Sequence, residues 1–219
     1  QAICYAVDRN HIVNEVLAGE AYGPGINGIC PPALPGYKAS EIIGYEKIGA
    51  DEEETKANKA AEREKAKKLL ADAGYPNGQG FPVVKLVLNS GGARNTRVAE
   101  AIASQLREYL NINVEIANVS LQQKMADAKY ARSDIFRSAW VADYPSAETF
   151  LSLFYGADVP DSLSDPSFPN TTRYKNPKFD SLFVLGREAK TIEEANRLYK
   201  EAEQVMMADA PAMILWYDE

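Results

Sequence analysis

The spacing of hydrophobic residues changes along the chain from strand-like to helical and back, and it predicts a mixed α/β fold. The mostly apolar run from Val83 to Leu88 is typical of a buried strand. Apolar residues then recur at helical spacing from Val98 to Tyr109, and positions 112, 114 and 116 alternate as in a half-buried strand. A strand, a helix and a second strand in this order predict a parallel βαβ unit.

Further helices are predicted where helical spacing returns beside a capping residue. Asp8 is a candidate N-cap for a second helical turn near the start, and Ser146 is one for a helix that runs through Phe154. Thr191, followed three positions later by a glutamate, has the pattern of a capping box. The other predicted helices cover residues 51–73, 121–128 and 179–185.

A predicted strand end provides the first candidate binding site. Strands are predicted at residues 135–141 and 212–217, and loops rich in glycine, proline or serine at residues 22–36 and 158–176. The corner at residues 140–145, with the sequence WVADYP, follows the first of these strands. Open α/β sheets hold their ligands at strand ends, so the corner is a candidate ligand contact.

Composition and charge exclude several classes of protein. The chain has 219 residues, of which 46% are hydrophobic and 25% charged, as expected for one ordinary globular domain. Its net charge of -7 and its lack of a dense basic cluster argue against nucleic-acid binding. No apolar run reaches the roughly 18 to 20 residues that cross a bilayer, and the first residues lack the pattern of a signal peptide.

Residues that commonly serve catalysis or metal binding are scarce. Cys4 and Cys30 lack the spacing of a zinc site, and they are either bonded to each other or two buried free thiols. His11 is the only histidine and falls on a polar helix face, so no Ser/His/Asp or Cys/His site can be assembled without it. Asp143 and Glu148 could serve a hydrolase only if one had a raised pKa. We therefore predict that the chain is not an enzyme and that it holds no metal and no cofactor.

Both ends of the sequence predict a longer parent chain. The first residues begin within a helical pattern, and the last ones lie within a hydrophobic strand pattern. We expect residues 1–219 to form a single α/β unit excised from a longer protein.

Five stretches carry a family resemblance in their order along the chain. They are residues 1–9 (QAICYAVDR), 65–78 (KAKKLLADAGYPNG), 140–145 (WVADYP), 174–180 (YKNPKFD) and 198–203 (LYKEAE). With them the sequence resembles the bacterial extracellular solute-binding proteins of family 5, the peptide receptors of ABC importers, over nearly its whole length. The resemblance implies the C-terminal lobe of a type II periplasmic-binding-protein-like clamp, with a mixed central sheet flanked by helices.

The resemblance also implies a function and a location. The protein is expected to capture oligopeptides between this lobe and a missing N-terminal lobe, and to deliver them to an ABC permease in the inner membrane. It would be periplasmic, or lipid-anchored at the outer face of the cytoplasmic membrane. A different cargo, such as a metal chelate, an oligosaccharide or another amine solute, is the alternative within the family. A hydrolase or a pure interaction module is the alternative outside it.

Specific roles at the corner follow from the resemblance. Asp143 matches the aspartate that pairs with the α-ammonium of a bound peptide, and a dry strand end would strengthen that bond. Trp140 is expected to pack beside the ligand, and Arg137 to reach the carboxylate of short peptides. The remaining expected contacts are the backbone near Ala139 and Val141, the side chain of Tyr144, and the loop-ordering residues Asn170 and Tyr174.

The same residues also have readings that involve no ligand. An aspartate before Tyr-Pro suits a turn, and a tryptophan after an apolar run suits the core. The resemblance favours ligand contacts for Asp143 and Trp140. For Arg137, a ligand contact and a buried ion pair with Asp134 or Glu148 remain equally open.

Overall fold

The computed structural model describes residues 1–218, and the order of its helices and strands is that of a mixed α/β fold. The α-helices are α1 (Ala2–Ala6), α2 (Arg9–His11), α3 (Glu52–Asp72), α4 (Ala93–Leu110), α5 (Leu121–Lys129), α6 (Ala147–Leu151), α7 (Pro177–Glu188) and α8 (Ile192–Asp209). The strands are β1 (Gly23–Pro24), β2 (Val84–Asn89), β3 (Val114–Val119), β4 (Ile135–Phe136) and β5 (Trp216–Tyr217). None of the helices in this range has the length and apolar character needed to cross a membrane.

Short helical turns extend or connect these helices. The helix α2 continues directly into a π-helical turn at Ile12–Val16, and α6 continues into a 3-10 turn at Ser152–Phe154. The predicted caps are confirmed, because the side chains of Asp8, Ser146 and Thr191 each accept a hydrogen bond from the first turn of the helix that follows. Other 3-10 turns cover Ala39–Glu41, Pro76–Gly78 and Gly156–Asp158.

The central sheet has three parallel strands in the order β3-β2-β4. The strands β2 and β3 pair along their full length, from Val84 opposite Val114 to Asn89 opposite Val119. The helix α4 lies between them in sequence, so the predicted parallel βαβ unit is confirmed. The carboxyl ends of all three strands therefore lie at one edge of the sheet, where open α/β folds bind ligands.

The strand β4 is shorter than predicted, because it covers Ile135–Phe136 and does not continue to Val141. The Arg137 amide still donates to the Val87 carbonyl at 2.9 Å. The Arg137 carbonyl, however, accepts a hydrogen bond from Lys124 Nζ at 2.9 Å instead of from a strand. The ladder ends there, and the corner lies beyond the sheet rather than within a strand.

The last strand is also shorter than predicted. The strand β5 does not cover residues 212–217 but only Trp216–Tyr217, where it pairs antiparallel with β1. Just before it, the Ile214 carbonyl accepts a hydrogen bond from the Arg9 side chain at 2.5 Å. The strand β1 lies within the glycine- and proline-rich segment 22–36, so pairing with β5 holds part of that predicted loop in place.

The core consists mainly of two apolar clusters. One cluster packs α6, α7 and α8 against the segment 30–45, and its largest fully buried side chains are Leu151, Phe179, Phe183 and Met206. The other cluster packs α1, α3 and α4 beside the sheet, and its largest fully buried side chains are Ile12, Leu17, Leu106, Leu110 and Ile112. The predicted fold class, a mixed α/β fold with helices flanking a central sheet, is confirmed, although the three strands of that sheet are all parallel.

A buried carboxylate ties the segment 30–45 to α8. The side chain of Glu203 is fully buried and accepts hydrogen bonds from the Cys30 amide at 2.9 Å and from the Tyr37 hydroxyl. Burial raises the pKa of Glu203, since it disfavours the charged form. Cys30 and Cys4 are both free and buried, so of the two cysteine predictions the one of buried thiols is confirmed.

Candidate functional site

The corner between β4 and α6 leaves its backbone open for another chain. The segment 138–142 has no regular secondary structure, and within residues 1–218 none of its amides or carbonyls has a hydrogen-bond partner. Ala139 is exposed and the side chain of Val141 is 84% exposed. Backbone groups without internal partners must bind water or a ligand, so this segment can accept an added strand.

Trp140 lies at the boundary between the corner and the core. Its ring is half-buried and packs against the cluster formed by α6, α7 and α8. Its indole Nε1 donates a hydrogen bond to Thr149 Oγ1 at 3.0 Å. The ring is therefore attached to α6 at one edge, and part of its surface remains available to a ligand.

Asp143 is exposed, and this corrects the expectation of a dry strand end. The physical reason is that β4 stops at Phe136, so the segment that carries Asp143 has left the sheet. Within residues 1–218 its carboxylate forms no ion pair, while its backbone amide donates to Thr149 Oγ1 at 3.5 Å. The lobe therefore presents a free negative charge at the corner.

Tyr144 is 47% exposed beside Asp143. Partial burial is the main cause that raises the pKa of Tyr144, and the nearby carboxylate of Glu148 is the second. Glu148 forms an ion pair with Arg187 at 3.1 Å. The phenol remains available as a neutral hydrogen-bonding group and an apolar surface.

The predicted ion pair of Arg137 with Asp134 or Glu148 is wrong. Asp134 accepts a hydrogen bond from the Lys85 amide at 2.8 Å, and Glu148 is paired with Arg187. Within residues 1–218 the buried Nε atom of Arg137 has no hydrogen-bond partner and the side chain forms no ion pair. Burial lowers the pKa of Arg137, and the charge of Asp218 acts in the opposite direction.

A second cation, Lys124, lies beside Arg137 and was not found in the sequence analysis. Lys124 belongs to α5 and is only 8% exposed, and its Nζ binds the Arg137 carbonyl. Burial, and then the charge of Arg137, lowers the pKa of Lys124. The sequence does not indicate this contact, because Lys124 lies in a helix of polar pattern and its partner is 13 positions away.

Asn170 and Tyr174 lie where they can order the loop behind the corner. Asn170 is fully buried, and its Nδ2 donates to the carbonyls of Tyr155 at 3.0 Å and Tyr174 at 2.9 Å. The Tyr174 hydroxyl donates to Asp209 at 2.6 Å, and its ring packs edge-on against Phe154 at 6.4 Å. These contacts join the loop to α8 and to the helical turn after α6.

The other candidate chemistry lies apart from the corner. His11 is exposed near the start of the chain, where its amide donates to Asp8. In the part of the chain that the structure describes, no group of three histidine, cysteine, aspartate or glutamate side chains is arranged to hold a metal ion.

Comparison with known proteins identifies the family. The family described as bacterial extracellular solute-binding proteins, family 5 Middle, matches residues 1–162. The periplasmic oligopeptide-binding protein OppA of Escherichia coli is 30% identical over 220 residues, which cover 99% of this chain and 36% of that protein. Heme-binding protein A of Haemophilus influenzae is 29% identical over 216 residues, which cover 96% of this chain and 34% of that protein.

Solved structures agree with this assignment. A periplasmic oligopeptide-binding protein of Borrelia burgdorferi, OppAIV, superposes with a TM-score of 0.76 at 29% identity, over 98% of this chain and 38% of its own. This chain has the fold of the type II periplasmic binding proteins, as the resemblance implied. This chain thus spans little more than a third of the length of the relatives it matches. It belongs to the bacterial extracellular solute-binding proteins of family 5.

Proposed function

We propose that this chain is the ligand-binding lobe of an extracytoplasmic receptor that captures oligopeptides for import by an ABC transporter. The observation that carries the proposal is the corner itself, where the exposed carboxylate of Asp143 follows an extended segment whose backbone has no described partner. A missing N-terminal lobe of the same protein would close over this surface, since small-ligand sites bury most of their ligand.

Asp143 would bind the α-ammonium of the peptide. Its carboxylate is free of ion pairs within residues 1–218, so no internal bond has to break before the ligand binds. A charge-assisted hydrogen bond is stronger than a neutral one, and it strengthens further when a second lobe excludes water. This recognition requires an amine and therefore favours peptides over neutral sugars.

The segment 138–142 would pair with the peptide main chain. Its unpaired amides and carbonyls, with Ala139 and Val141 at its exposed positions, offer the edge of an added strand. Such pairing reads the backbone and not the side chains, so peptides of varied sequence would bind. Trp140 and Tyr144 would supply apolar contacts, while Asn170 and Tyr174 would keep the surrounding loop in place.

Arg137 would bind the carboxylate of a short peptide. Its backbone carbonyl is bound by a second cationic residue, Lys124, and its side chain forms no ion pair with the described residues. A ligand carboxylate would supply the missing opposite charge. The proposed ligand is thus a zwitterion whose two ends meet Asp143 and Arg137.

A different cargo is the second candidate, because one relative at 29% identity is named a heme-binding protein. The same lobe would then hold a metal chelate or another amine solute, or an oligosaccharide. Binding without catalysis is proposed in each case, as the relatives are named binding proteins. The location proposed is the periplasm or the outer face of the cytoplasmic membrane, with a permease as partner.

The test is a thermal-shift titration of the full-length protein with trialanine and with N-acetyl-trialanine. At 100 times Kd, a ligand stabilises the folded state by about 2.7 kcal/mol, which is a shift of several degrees in Tm. We expect this shift with trialanine, its loss on acetylation, and its loss in the Asp143→Asn variant.

The matched control is Asp161→Asn, which removes an exposed carboxylate in the loop at residues 158–176, whose single ion pair within residues 1–218 is with Lys175 at 3.7 Å. It should retain the full shift. If the wild-type protein responds equally to both peptides, or to neither, ammonium recognition by Asp143 is wrong and the cargo lies among other solutes.

A further inference from the structure

One buried hydroxyl contacts both of the residues to which the proposed function gives the central roles. Thr149 Oγ1 accepts a hydrogen bond from the indole Nε1 of Trp140 at 3.0 Å. It also lies 3.5 Å from the backbone amide of Asp143, at the long limit of a hydrogen bond. A hydroxyl oxygen has two lone pairs, so it can accept both bonds together.

Thr149 is well suited to keep this oxygen in one place. The residue is 3% exposed and belongs to α6, whose first turn is capped by Ser146. The residues that follow it, Phe150 and Leu151, are buried in the core. A β-branched side chain has few χ1 positions in a helix, which limits where the hydroxyl can lie.

The corner depends on this oxygen because it has few other attachments. Between Ser138 and Asp143, Thr149 is the only hydrogen-bond partner that residues 1–218 provide. Without it, the indole N–H of the half-buried Trp140 would lose its acceptor, and the Asp143 amide would lose its tie to α6. Both groups could then rotate away from the ligand.

We propose that Thr149 is a positioning residue for ligand binding, because one buried hydroxyl orients the Trp140 ring and the turn that presents Asp143. This inference rests on the proposed function, since it assigns Trp140 and Asp143 to the ligand. Thr149 itself touches no ligand and acts through its two partners.

The experiment uses the full-length protein and compares Thr149→Val, which removes the hydroxyl and keeps the shape, with Thr149→Ser, which keeps the hydroxyl. We expect Thr149→Val to lower the affinity for trialanine about tenfold, the equivalent of one hydrogen bond of about 1.4 kcal/mol. Thr149→Ser should stay within about twofold of wild type, since it restores the acceptor. The control Ser152→Ala removes a comparable hydroxyl bond, to the Thr149 carbonyl at 3.0 Å, and should also bind normally.

A second measurement needs no ligand. In ¹H–¹⁵N spectra of the free protein, the indole N–H resonance of Trp140, assigned with a Trp140→Phe variant, should move upfield in Thr149→Val and stay in place in Thr149→Ser. The indole of Trp216 donates to Asp218 at 2.8 Å and serves as an internal reference.

The two proposals fail in different ways. If wild type binds trialanine and Thr149→Val binds it equally well, the positioning role is overturned and the peptide proposal stands. An equal loss in Ser152→Ala would also overturn it, because the effect would then be general to α6. If wild type does not bind trialanine, the peptide proposal fails, and an unmoved Trp140 resonance in Thr149→Val would independently refute the contact.

Discussion

Two cationic residues, Arg137 and Lys124, meet at the end of β4, where Lys124 Nζ binds the Arg137 carbonyl. The acid whose charge acts on Arg137 is Asp218, and that carboxylate is already bound by Arg94 at 2.6 Å and by the indole of Trp216. Burial of like charges without a close counter-ion is unfavourable. The arrangement is therefore poised to gain from an anion that enters with the ligand, which is the role proposed for a peptide carboxylate.

Replacing Arg137 tests this electrostatic argument. We expect Arg137→Met to weaken the binding of trialanine about 10- to 100-fold, because a hydrogen bond to a charged group contributes about 1.5–3 kcal/mol. The binding of trialanine amide, which has no carboxylate, should change little. Isothermal titration calorimetry of the full-length protein with both peptides measures the difference.

The control for this substitution is Arg132→Met, which removes an exposed arginine that pairs with Asp127 at 3.4 Å on the adjacent turn. It should leave both affinities unchanged. An equal loss of affinity for both peptides in Arg137→Met would show that Arg137 supports the local structure and does not read the carboxylate.

At the scale of elements, polar contacts hold the segment 22–45 against α8 and β5. These contacts leave no room for a side chain at Gly28. The fully buried carboxylate of Glu203 occupies the space beside this glycine, and the Gly28 carbonyl accepts the Tyr217 hydroxyl at 2.7 Å. A methyl group at Gly28 would overlap the carboxylate and lie 2.6 Å from its Cδ atom. The carboxylate cannot yield without losing its bond from the Cys30 amide.

Gly28→Ala should therefore destabilise the lobe by about 1–3 kcal/mol, the usual cost of overpacking a buried site. Gly23→Ala is the matched control, because a methyl group at Gly23 meets no atom within 4 Å and should change stability by no more than about 0.5 kcal/mol. Urea denaturation followed by tryptophan fluorescence measures both. Equal midpoints for the two variants would contradict the close packing of Glu203 against this segment.

The same scale explains what the sequence could predict. Elements whose apolar residues are buried, such as α4 and β2, were predicted because hydrophobic spacing records burial. The C-terminal end of β4 and the start of β5 were not predicted. Near each of these points a side chain from another part of the chain binds a backbone carbonyl: Lys124 binds that of Arg137, and Arg9 binds that of Ile214. Local spacing carries no record of such contacts.

One part of the candidate site could likewise be predicted from the sequence and another part could not. The corner was found from its position after a strand and from the family resemblance, which needs only local sequence. The partner of Arg137 and the hydroxyl of Thr149 depend on how α5 and α6 pack on the corner. A threonine within a short apolar helix has no pattern that distinguishes a positioning residue from an ordinary core residue.

At the scale of the whole molecule, the proposed site is an exposed surface and not an enclosed pocket. Asp143, Val141 and the open backbone of residues 138–142 all face solvent. Small-ligand sites bury about 70–90% of the surface of their ligand, which a single exposed surface cannot do. Tight binding therefore requires a second surface, and the chain spans little more than a third of its relatives' length.

This reasoning predicts that residues 1–219, expressed alone, bind trialanine far more weakly than the full-length protein. If the full-length protein binds with a Kd of about 1 μM and the lobe makes half of the contacts, the lobe should bind with a Kd of about 1 mM, a loss of about a thousandfold. Calorimetry of both proteins measures the ratio, and a cooperative thermal transition of the lobe establishes that it is folded. Equal affinities would contradict the clamp, because they would mean that this face alone completes the site.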